Sequence, residues 1–200
     1  MNSCKKLVVE PYTQWEPEVA APSSACGPAT MAALVEYWRI QQGHGLIRGW
    51  SHFQSKAAHI NYIYRHHGGN PWGMSVAGFK RGIKAFAGAA FHGEKEREYK
   101  LSVRSFKDWN EYKAEIDAGR PAAIKFDKWF SFHWNKRYAY DYHWVVGIGY
   151  EEAEDGTDSL IILDNGVRTA GGFIPSRERR VDYGINKDIL TIVALNIEKR

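Results

Sequence analysis

Apolar residues at Met31, Leu34, Val35 and Trp38 recur at three- and four-residue intervals, the spacing of one helix face. The helix this predicts starts at Cys26 and carries Pro28 in its first turn, where a missing N–H costs nothing. Gly43 and Gly45 end it. Three more helices are predicted: Ser51 to His66, closed by Gly68-Gly69; Ser75, a good N-cap, to Phe86 before Gly88; and Ser105 to Ala118, with Asp108 suiting its start and Gly119 its end. Beyond Pro121 the pattern changes. Short apolar runs at 122–126, 143–150 and 159–164, separated by turn-rich segments such as Asp155-Gly156-Thr157-Asp158, predict strands, with a last strand at 189–197. Helices followed by strands predict an α+β protein, with a helical lobe beside an antiparallel sheet.

The 200 residues fit a single domain, mainly helical over about 1–120 and mainly β over about 121–200. With 44% hydrophobic and 25% charged residues, the chain can bury a core without being a membrane protein. It contains no apolar run of signal-peptide or membrane-spanning length. Such a chain is secreted or envelope-bound if a leader has been removed, and cytoplasmic otherwise. The net charge of +4 is spread out: Glu94-Lys95-Glu96-Arg97-Glu98 alternates in sign, and Arg177-Glu178-Arg179-Arg180 is too short and mixed to track phosphates, so no nucleic-acid partner is expected. Aromatic residues are abundant. Most belong in a core, but Trp129, Phe130, Phe132, Trp134, Tyr138, Tyr140 and Tyr142 crowd one segment and form a candidate substrate wall.

Chemistry narrows the picture. Two cysteines, Cys4 and Cys26, cannot build a disulfide framework. Cys26 directly precedes a predicted helix, whose N-terminus carries roughly half a positive charge and unpaired N–H groups that favour a thiolate and can hold an oxyanion. A thiolate nucleophile needs a base that is near in space but not in sequence. His143, at the mouth of a strongly apolar strand, is the candidate, the bland alternative being a satisfied core histidine. If 143–150 and 159–164 pair as a hairpin, Asp164 lies near His143 and can hold its imidazole in one tautomer. Asn165 is the alternative orienter, preferred less, and Asn165-Gly166 also reads as a tight turn. His52, His59 and His66 are spaced by seven residues, about 10 Å per step along a helix, too far apart to share one zinc ion, so no metal site is expected. Gly147-Ile148-Gly149 lies inside a strand and is no phosphate loop.

Gln14-Trp15, Ala25-Cys26-Gly27-Pro28-Ala29-Thr30, Gly119-Arg120-Pro121, the run from His143 to Tyr150, and Leu163-Asp164 occur in that order. The ordered set resembles the papain-like cysteine peptidases related to the bacteriocin-leader-processing (double-glycine) peptidases, over roughly 10–170, as a stand-alone bacterial member. The resemblance implies a papain-like fold, with Gln14 as oxyanion donor, Cys26 as nucleophile, His143 as base and Asp164 as orienter. It implies a peptide or protein substrate and no cofactor. The sequence departs from the family in a longer Gln14–Cys26 spacing and in Asp164-Asn165, where Asp-Pro is frequent. The expected reaction is amide hydrolysis through an acyl thioester. One rival keeps the site but transfers the acyl group or cleaves cell-wall peptide. The other is a non-catalytic module that grips a peptide or glycan with its aromatics.

Overall fold

The computed structural model describes residues 3–91, 98–129, 131–133 and 136–200. The alternating segment 94–97, Phe130 and Trp134 lie outside them. The helices are α1 (Cys26–Ile40), α2 (Trp50–Phe53), α3 (Lys56–His66), α4 (Val76–Gly88), α5 (Trp109–Asp117) and α6 (Tyr183–Asn186). The strands are β1 (Ser3–Lys6), β2 (Tyr99–Phe106), β3 (Ala122–Asp127), β4 (Tyr142–Glu152), β5 (Asp158–Asp164), β6 (Val167–Thr169), β7 (Gly172–Ile174), β8 (Arg177–Asp182) and β9 (Leu190–Lys199). Seven strands form one antiparallel sheet in the order β2-β9-β3-β4-β5-β8, with β1 paired to the far end of β4. β6 and β7 form a separate hairpin.

The sheet is buried on both faces, which is why its central strands read as continuous apolar runs rather than alternating ones. One face packs Trp144, Val146, Ile148, Ile161 and Leu163 against α1, α3 and α4. The other packs Val145, Ile124, Leu160 and Ile162 against Trp109, Tyr112 and Ile116 of α5. Gly147 lets α5 come close: a Cβ there would lie 2.7 Å from the Tyr112 hydroxyl and from Ile124. The fold is therefore α+β, with a nucleophile-bearing helix on an antiparallel sheet, the papain-like arrangement. No helix among the described residues is long and apolar enough to cross a membrane.

Three predicted elements differ. The helix expected over 51–66 is two helices, because Gln54 takes a left-handed φ of 69° and Ser55 starts a new helix by accepting a bond from the Ala58 N–H. Ser105 ends β2 instead of starting a helix. Its segment pairs with β9, and Asp108 alone caps α5 by accepting from Glu111 N. The polar run from Arg177 is a strand, β8, paired along β5.

Candidate active site

Cys26 is the first residue of α1. Ala25 offers no side-chain cap, and Pro28 has no N–H, so the first-turn donors that remain belong to Cys26 and Gly27. The helix can seat this end against β4 because residue 27 is glycine: a Cβ would fall 2.9 Å from Met74 Cβ and 3.4 Å from the Trp144 ring. Trp144 is pinned in turn, donating from Nε1 to Met74 O at 2.8 Å and stacking on Phe79 at 4.3 Å. A fixed Trp144 fixes its neighbour His143.

The β4–β5 pairing occurs as the hairpin reading required, with Val146 opposite Leu163. Asp164, one step beyond, falls on the face shared by Val145 and His143, a diagonal neighbour within reach. His143 Nε2 lies 3.7 Å from Asp164 Oδ1. The thiol of Cys26 hydrogen-bonds His143, for which Nδ1 is the ring nitrogen left. Cys26 and Asp164 are buried, and the His143 side chain is 14% exposed. Cys26, His143 and Asp164 thus stand in line.

The electrostatics follow from those contacts. Burial pushes the Cys26 thiol up. The His143 hydrogen bond and charge, with backbone N–H groups of Trp144 and Gly27, outweigh it and bring the thiol below its ordinary value. Burial pushes His143 down, yet hydrogen bonds to Asp164 and Cys26 raise it to about 9. Burial raises Asp164, but His143, Tyr140 and Arg179 together hold it at about 2. The stable state near neutrality is a thiolate–imidazolium pair beside an ionised carboxylate. Its protons belong to the coupled set rather than to one residue.

Asp164 is held by two residues that sequence reasoning did not single out. Tyr140 donates its hydroxyl to Oδ2 at 2.5 Å, and Arg179 Nη1 donates to the same oxygen at 3.0 Å. The Tyr140 ring also packs against the His143 ring, with centroids 4.8 Å apart. Tyr140 was legible only as one of many aromatics, and Arg179 only as part of a charged cluster. Within the aromatic segment, Tyr138 and Tyr140 pack on the α5-side core, while Trp129 and Phe132 are exposed.

Asn165 does not approach His143 in any printed contact of its amide. It ties the two halves of the site together instead. Its Nδ2 lies 3.0 Å from Cys26 O, 2.9 Å from Thr30 Oγ1 and 2.7 Å from Trp144 O, two hydrogens shared among three buried acceptors. This clamp sets α1 against β4, and hence the thiol against the imidazole. Asn165→Ala is expected to cost about 1–3 kcal/mol of stability, the penalty for stranding buried acceptors, read as a lower urea midpoint at unchanged slope. An unaltered midpoint would contradict the clamp.

Gln14 is buried close by. Its backbone N–H donates to Asn165 O at 2.9 Å, and its Nε2 donates to Pro22 O at 2.7 Å, leaving one amide hydrogen uncommitted by that bond. The three helix histidines are not gathered: His52 lies in α2, while His59 is a core residue that bonds Tyr12 at 3.1 Å and stacks on Phe53. Burial drives His59 down to about 3, so it is neutral in the folded protein. Among the described residues no group of three His, Cys, Asp or Glu could hold a metal ion.

The chain is similar over nearly its whole length to a solved putative C39-like peptidase from Bacillus anthracis: 14% identity, 99% of this chain and 100% of that one covered, TM-score 0.59. Weaker likenesses are to the peptidase domain of Streptococcus ComA, described as a bi-functional ABC transporter involved in a quorum-sensing pathway (16% identity, 89% and 93% covered, TM-score 0.46), and to the bromelain protease from Ananas comosus (15%, 95% and 94%, TM-score 0.41). No curated protein sequence matches. A family profile described as "Peptidase_C39 like family" matches residues 6–172, most of the chain, and the chain belongs to that family.

Proposed function

We propose that the protein is a cysteine peptidase that cleaves a peptide bond through an acyl thioester on Cys26. One observation carries this reading: the thiol at the N-terminus of α1 is hydrogen-bonded to an imidazole that is itself backed by a buried carboxylate. The Cys26 sulfur attacks the carbonyl carbon, and the C–S bond forms as the carbonyl π electrons move to oxygen. The oxyanion accepts hydrogen bonds from the Cys26 N–H and the second hydrogen of Gln14 Nε2. His143 gives its proton to the amide nitrogen, the C–N bond breaks, and the amine leaves. His143 then takes a proton from water, whose oxygen attacks the thioester. The carboxylic acid leaves and the thiolate returns. Asp164 keeps the imidazole aligned and stabilises its charged form. Every step uses side chains of this protein, and the resemblance that implies this mechanism implies no cofactor.

The pH profile tests the assignment. Below the Cys26 pKa the nucleophile is protonated. Above the His143 pKa the acid that protonates the leaving amine is lost. Because His143 is raised from 6.5 to about 9, the alkaline limb of kcat/KM is expected near pH 9, and the acid limb below the range of an ordinary thiol. Peptide hydrolysis whose alkaline limb sits near 6.5 would contradict the ion pair.

A further inference from the structure

A cavity of about 450 Å³ opens beside the candidate nucleophile, lined by Asn70, Gly73, Lys125, Asp127, Tyr142 and Thr191 among others. Its connection to the thiol is short. Tyr142 directly precedes His143, its hydroxyl donates to Met74 O at 3.1 Å, and the charge of Cys26 is felt at that hydroxyl. Met74 is the residue that packs against Gly27. A peptide lying across Cys26 therefore places a neighbouring side chain at this opening.

The cavity has an unusual base. Lys125 and Asp127, two apart on β3 and so on one face of the strand, form an ion pair at 2.7 Å. Both are buried, at 5% and 9% exposure, and the Lys125 ammonium sits 4.5 Å from the centroid of the Tyr142 ring. A buried ion pair is maintained against a desolvation cost and is disturbed by whatever covers it. A cationic side chain entering the cavity meets Lys125, and an anionic one meets Asp127; each meets repulsion from a group with little water to screen it. An aliphatic side chain strips water from both charges and returns no hydrogen bond. A carboxamide matches both, because its carbonyl accepts from an ammonium and its NH2 donates to a carboxylate.

We propose that this cavity is a specificity pocket selecting an uncharged, hydrogen-bonding side chain, a carboxamide, at one position of the peptide substrate. The proposal rests on the peptidase reading above. The test is a series of peptidyl chloromethyl ketones in which each position in turn carries glutamine, glutamate, lysine or leucine, with mass spectrometry following alkylation of Cys26. At one position the glutamine probe is expected to react at least about tenfold faster than the glutamate, lysine and leucine probes. Replacing one partner alone strands the other charge, so the informative variant removes both. In a folded Lys125→Met, Asp127→Leu double variant, judged by circular dichroism, the leucine probe should overtake the glutamine probe at that same position. A parent enzyme that prefers leucine or a charged residue at every position overturns the pocket and leaves the peptidase reading intact. If no peptide probe outpaces plain iodoacetamide, the peptidase reading falls and the pocket with it. A double variant that keeps the parent's glutamine preference places selection elsewhere and overturns the proposal.

Discussion

His143→Ala is expected to lower turnover of a good peptide substrate by about 10²–10⁴, the usual size of general acid–base catalysis. The substitution removes both the base that holds Cys26 as thiolate and the acid that protonates the leaving amine. Asp164→Asn should cost less. An asparagine side chain still offers a carbonyl oxygen to the His143 ring, so the tautomer can be kept while the charge is lost. The structure adds a consequence: Asp164 also binds Tyr140 and Arg179. An amide in its place may keep the Tyr140 bond but gives up the ion pair with Arg179, so the His143 pKa should fall from its raised value and the alkaline limb should move down. Peptide binding should change little in either folded variant, so the loss should appear in kcat rather than KM. Two folded variants that hydrolyse substrate at the parent rate would remove these residues from the mechanism.

The parts of the site written into local pattern were legible in the sequence. Cys26 stands before a helix that its apolar spacing announces, and α1 begins at that residue. The runs at 143–150 and 159–164 are apolar because both sheet faces are covered, and their pairing brings Asp164 to His143. Other features depend on the third dimension. The β8 segment Arg177–Asp182 reads as a charged surface run, since an edge strand is held by backbone bonds to β5 and carries little apolar signal. Its Arg179 is 15 residues from Asp164 in sequence and reaches it only through that pairing. Tyr140 was one aromatic among seven, and nothing local marks it as the partner of Asp164.

Asn165 shows the same limit in another form. Its place beside Asp164 suggested an orienter for His143 or a turn residue, and Gly166, at a φ of 89°, does make a turn there. The amide instead spans from β4 to the start of α1, a contact across 139 residues of sequence. The interruption at Gln54 had no glycine to announce it, although Ser55 just after it is a good helix start. The end of β2 was misread because Ser105 is equally at home as a cap, and only its pairing with Val193 decides the matter.

Alkylation at pH 6 tests the central claim most directly. At that pH an ordinary thiol, with a pKa near 8.5, is only about 0.3% thiolate. Cys4 is exposed and Cys26 is buried, so access alone favours Cys4. Iodoacetamide is nonetheless expected to label Cys26 first, at a rate up to about 10² above an ordinary thiol, because the thiolate is the reacting form and His143 holds it. The advantage should disappear in His143→Ala, while labelling of Cys4 should be the same in both proteins. Preferential labelling of Cys4 at pH 6, or a Cys26 rate indifferent to His143→Ala, would contradict a thiolate–imidazolium pair at the start of α1.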